Sequence, residues 1–96
     1  KGTVGQSNDP LKFPKPGVAV VIPYEKLEPG MFVNRLDVIG FGYRFVIHQL
    51  IRKEPDGTWV MQGYNRRTNP RPDVERLTPK NYWGVSYPIG GPFPTP

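Results

Sequence analysis

The only histidine in the chain, His48, sits between Val46 and Leu50 in a run rich in aromatic and β-branched residues. It is the one side chain here whose ordinary titration range spans neutral pH. A strand position with aliphatic neighbours two residues away on either side reads first as a half-buried, hydrogen-bonded imidazole. Ser7 lies in Ser7-Asn8-Asp9-Pro10, whose residue types make a turn by themselves. Asp73 stands near Arg71 and Arg76, the pattern of a surface ion pair that adds little stability. A basic group follows the same run: Arg66, Arg67, Arg71 and Arg76, with Tyr64, Tyr82 and Trp83 close by in sequence. Such residues contact phosphates and stack on bases, and they also anchor protein interfaces.

Composition narrows these options. The chain has 96 residues, enough for one domain with one small core. Without cysteine there is no disulfide framework or thiolate site, and a single histidine argues against a histidine-built metal centre. No metal or other cofactor is expected. Eleven glycines and thirteen prolines lean towards disorder, but five Phe, five Tyr and two Trp in short apolar runs argue for an ordered domain. The longest uncharged apolar run, Gly17 to Tyr24, is far too short to span a membrane, and the opening KGTVGQSNDP does not read as a signal peptide. The net charge of +5 is moderate, so its placement matters more than its size.

The elements that must position these residues are β-strands. Tyr43 to Asn65 reads as a hairpin: a strand to Arg52, a turn at Glu54-Pro55-Asp56-Gly57, and a return from Thr58 to Tyr64. Pro55 presets φ, and Gly57 is expected to take the positive φ that brings the strands together. Alternation puts Phe45, Ile47, Gln49 and Ile51 on one face and Val46, His48, Leu50 and Arg52 on the other. Val18 to Pro23 and Met31 to Ile39 read as further strands, with one helical turn possible at Tyr24 to Gly30 and Gly40-Phe41-Gly42 as a flexible link. Prolines 70, 72 and 79 make residues 65–80 a loop, and Asn81 to Tyr87 a closing strand. The expected architecture is all-β: a small barrel or sandwich of about five to seven strands spanning residues 18–87, with extended proline-rich arms at 1–17 and 88–96. The predicted core is Val18, Val20, Ile22, Leu27, Val33, Leu36, Phe45, Ile47, Ile51, Trp59, Met61 and Val85.

Taken together, the segments resemble the catalytic β-domain of the signal peptidase family, a fold shared with the SOS-repressor-type autoproteases. Gly5-Gln6-Ser7-Asn8-Asp9-Pro10 resembles the G-x-S-M-x-P box of that family, and Tyr24 to Gly30 its L-x-x-G-D-x-V strand entry. Val46-Ile47-His48-Gln49-Leu50-Ile51 resembles the V-V-H-R-V-V strand of the histidine-using branch. Gln62-Gly63-Tyr64-Asn65 resembles the K-G-D-N turn, and Pro72-Asp73 with Asn81-Tyr82-Trp83-Gly84-Val85 the closing P-D and N-x-x-G-x-V. The resemblance implies Ser7 as nucleophile, His48 as general base and Asp73 as the carboxylate that orients it. Three positions depart from the pattern: Asn8 replaces the methionine after the serine, Gln49 the arginine after the histidine, and Tyr64 the aspartate of the turn.

Those departures favour a non-catalytic module on the same β-fold. In that reading the protein clamps onto a larger assembly of neighbouring subunits, as a cement or decoration protein of a viral capsid would. Its stiff arms lose little entropy on docking. The contact residues would be Arg66, Arg67, Arg71, Arg76, Tyr64, Tyr82 and Trp83, with Phe13 and Phe93 from the arms. A serine endopeptidase using Ser7 and His48 is the alternative, and nucleic-acid binding through the arginine loop the second alternative.

Overall fold

The computed structural model describes residues 16–89 and 92–96. Ser7, Asn8 and Phe13 therefore lie outside the described residues. Five strands form one antiparallel sheet in the order β1-β5-β2-β3-β4: β1 Pro16–Val20, β2 Phe32–Ile39, β3 Gly42–Lys53, β4 Trp59–Gln62 and β5 Tyr82–Pro88. Among the described residues the only helix is a single 3-10 turn at Tyr24–Lys26. The protein is all-β.

Two tight turns build the central three strands. Between β3 and β4, Gly57 takes φ +91, its N–H donates to Glu54 O at 2.9 Å, and the Asp56 carboxylate accepts from the Thr58 N–H at 3.0 Å. This is the turn the sequence predicts. The supposed flexible link at Gly40-Phe41 is a second hairpin: Ile39 pairs with Gly42, and β2 and β3 then pair without interruption as far as Phe32 and Gln49. Gly40 has φ +58, a conformation that a two-residue hairpin wants at its first position and that other residues rarely adopt.

The first strand sits earlier than expected. β1 covers Pro16–Val20 rather than Val18 to Pro23, because the chain leaves the ladder after Val20. The peptide groups of Ile22 are instead taken by one side chain: the Tyr82 hydroxyl accepts from Ile22 N at 3.1 Å and donates to Ile22 O at 2.7 Å.

The main core is Leu27, Val33, Leu50, Trp59, Met61, Leu77 and Val85. Of the predicted core, Leu27, Val33, Trp59, Met61 and Val85 are buried; Ile22, Leu36, Ile47 and Ile51 are half-buried or better; Val20 and Phe45 are exposed. The correction concerns β3, whose inward face is Val46, His48 and Leu50. Both faces of that strand are apolar enough to serve, and Val33, which pairs with His48 and Val85, decides between them. On the opposite face Phe32 and Gln49 pair and are fully buried. Phe93 covers them, its ring 5.6 Å from Phe32 and 5.4 Å from Tyr87. The Gln49 amide donates to Gly30 O at 3.1 Å and Pro94 O at 2.7 Å. Residues 92–96, read from the sequence as an arm, thus lie against their own domain.

Candidate functional site

The loop after β4 carries Asp73 onto the inward face of the sheet. It turns at residues 66–68, and beyond Pro70 and Pro72 its peptide groups bond to the edge of β4. Asp73 N donates to Met61 O at 2.8 Å, and Leu77 exchanges two backbone hydrogen bonds with Trp59 at 3.0 and 2.9 Å. Leu77, fully buried, fixes the end of this segment in the core. His48 comes to the same place because its strand face is the one packed inward.

The result is a 2.6 Å contact between His48 Nδ1 and Asp73 Oδ2, with side chains only 12% and 13% exposed. Burial pushes the Asp73 carboxyl up, but the hydrogen bonds and charges of His48 and Arg35 outweigh it and hold it below its ordinary value. Asp73 is therefore an ionised acceptor, and an acceptor requires the proton on Nδ1. In the neutral ring that leaves the lone pair on Nε2. Among the described residues, no hydrogen-bond partner faces Nε2. An imidazole held in this tautomer by a buried carboxylate has the geometry that a nucleophile–base–carboxylate arrangement requires of its base. The expectation that Asp73 forms a surface ion pair with Arg71 or Arg76 is corrected: its partners are His48 and Arg35, inside the domain.

Arg35, absent from the residues that the sequence singles out, completes the cluster. Its guanidinium is 3% exposed and forks onto Asp37, Nε to Oδ1 at 2.6 Å and Nη2 to Oδ2 at 2.8 Å. Nη1 donates to Asp73 Oδ2 at 2.8 Å and to Glu75 O at 3.0 Å. Burial disfavours the charged guanidinium, yet Asp37 and Asp73 together raise its pKa above the usual arginine value. A signal for this was available: Arg35 and Asp37 are two apart on a strand, so they share a face with Val33. An opposite-charge pair on the core-facing side of a strand is a signal for a buried ion pair.

The other residues expected to form a site are dispersed. Arg66 turns inward, donating to Gly63 O and to Gln49 Oε1. Arg67, Arg71 and Arg76 are exposed, and Arg76 reaches Thr58 Oγ1 at 3.4 Å. Tyr64 packs edge-on against Phe32 at 5.6 Å, and Tyr82 is held by Ile22. Trp83 is 53% exposed, its ring 5.3 Å from Phe45. Gln49 and Tyr64, two of the three positions that depart from the resemblance, thus pack on the Phe32 side of the sheet. Among the described residues no group of three or more His, Cys, Asp or Glu side chains is placed to hold a metal ion. No described helix is long and apolar enough to cross a membrane. Searches against family models, curated proteins and solved structures found no match to this chain.

Proposed function

We propose that this protein is a hydrolase of the serine-peptidase type, with His48 as general base, Asp73 as its orienting carboxylate and Ser7 as nucleophile. The observation that carries the reading is the 2.6 Å His48–Asp73 contact, made by residues 25 apart in sequence and packed into a small core. In the reaction, Ser7 Oγ bonds to the substrate carbonyl carbon as its proton passes to His48 Nε2. The ring then returns that proton to the departing amine, and water repeats the cycle on the acyl-enzyme. With neutral His48 the cluster Asp37, Arg35, Asp73 carries one net negative charge, and protonation of the ring cancels it. The imidazolium formed in each step is thereby stabilised. The test is covalent labelling by a fluorophosphonate probe together with cleavage of a peptide library. Labelling lost in both Ser7→Ala and His48→Ala supports the reading; labelling of neither wild type nor variant, with no cleavage, rejects it.

A second reading, an interaction module that docks on neighbouring protein subunits, is favoured by a different surface. The β2–β3 hairpin leaves Val38, Ile39, Phe41, Tyr43 and Phe45 at 77, 51, 112, 70 and 47% exposure, beside Trp83. Apolar residues grouped in this way mark contact surfaces. Sedimentation of wild type and Phe41→Asp distinguishes them: assembly abolished by the substitution supports docking through this hairpin, and a monomer in both cases counts against self-assembly there.

A further inference from the structure

We infer that Arg35 is the positioning residue of the His48–Asp73 pair, fixing the Asp73 carboxylate and balancing its charge while Asp37 holds the guanidinium in place. The inference rests on the catalytic reading above for its functional meaning, but its physical content does not. Four guanidinium N–H···O bonds are committed: two to Asp37, one to Asp73 Oδ2 and one to Glu75 O. That geometry ties β2 to the Asp73 loop at the carboxylate itself and at the carbonyl two residues on. The same oxygen, Asp73 Oδ2, accepts from both Arg35 Nη1 and His48 Nδ1. Any rotation of the carboxylate that released His48 would therefore also break a buried charge-assisted bond. Lysine could supply the charge but not the fork, so it could hold one carboxylate and not both.

The charged and titratable groups around the His48–Asp73 pair come from several elements. Arg35 and Asp37 come from β2 and Asp73 from the loop. Arg44 on β3 pairs across from Asp37 and is exposed, and Tyr82 of β5 pairs across from Arg35. Removing Arg35 deletes a positive charge near the ring, while neutralising Asp37 deletes a negative one.

The experiment is NMR of the single histidine in the full chain, following the signal and the exchange of the Nδ1 proton. The variants are Arg35→Met, Arg35→Lys, Asp37→Asn and the double variant Arg35→Met/Asp37→Leu. Arg35→Met leaves Asp37 buried without a partner and is the variant most prone to unfold. The double variant removes both charges together, a change that buried pairs tolerate far better. Asp37→Asn, which keeps Arg35 on Asp73, should leave Nδ1 proton exchange closer to wild type than Arg35→Met does. In the folded double variant Nδ1 proton exchange should be at least about tenfold faster, and Arg35→Lys should fall between it and wild type. Peptide cleavage should lose about 10²-fold in kcat with KM little changed, as for a misplaced base. A folded double variant with wild-type proton exchange would overturn the inference. If the NMR results are as expected and the wild type cleaves nothing, the inference stands and the peptidase reading fails. If the wild type cleaves and no variant alters proton exchange, the inference fails and the peptidase reading stands.

Discussion

Leu77 and Trp59 are joined by a reciprocal pair of backbone hydrogen bonds, and this single bridge anchors the segment that holds Asp73 over the sheet. Leu77 is also fully buried with Leu27, Leu50 and Met61 in the main core. Leu77→Ala should cost ~2–5 kcal/mol, from lost burial and the cavity left behind. Urea denaturation gives the cost. The same variant should show faster amide exchange at Asp73, because the loop loses its anchor on one side.

Acid should destabilise the protein through Asp73. Its carboxyl is depressed in the fold, against burial and through His48 and Arg35, so the unfolded chain takes up the proton first as the pH falls. The stability it contributes is present above the ordinary carboxylate value and is lost as the pH drops through the folded value, in the acid range below it. Denaturation midpoints measured across that range should fall steeply for wild type. Asp73→Asn should be less stable at neutral pH and should show a flatter acid limb.

At alkaline pH the corresponding group is Tyr24. Its hydroxyl donates to Gly57 O at 2.7 Å and lies 3.1 Å from Leu77 O, joining the hairpin turn to the end of the loop. Burial, aided by the charge of Asp56, raises its pKa above 10.0. Here the sign is reversed: the contribution is intact below the ordinary tyrosine value and disappears as the pH climbs through the folded one. Tyr24→Phe should cost ~1 kcal/mol at neutral pH and remove that part of the alkaline loss, as followed by thermal melts against pH.

Gln49 should be a stability residue that leaves the His48 ring untouched. Gln49→Ala strands the carbonyls of Gly30 and Pro94 and opens a hole under Phe93, which should cost ~1–3 kcal/mol. His48, its neighbour in sequence, points to the other face, so its Nδ1 proton signal should be unchanged. Loss of the Nδ1 proton signal in this variant would mean that the two faces are coupled.

Much of the fold is legible in the sequence because local chemistry dictates it. The Glu54–Gly57 turn, the closing strand at Tyr82 and the loop character of residues 65–80 follow from proline, glycine and β-branched residues at fixed spacings. His48 as a half-buried, hydrogen-bonded strand histidine follows in the same way from its aliphatic neighbours. Alternation along β3 also divides its side chains correctly into two sets. What alternation cannot supply is which set faces the core, since a period of two is the same seen from either side. That choice was made by the pairing of Val33 with His48 and Val85, and it put Phe45 outside and His48 inside. Nor could local chemistry pair Asp73 with His48 and Arg35 rather than with its neighbours Arg71 and Arg76. Nearby arginines in an exposed loop offer only screened attraction. A guanidinium already buried by its strand offers an unscreened one, and only the folded chain brings residues 35, 48 and 73 within reach of each other.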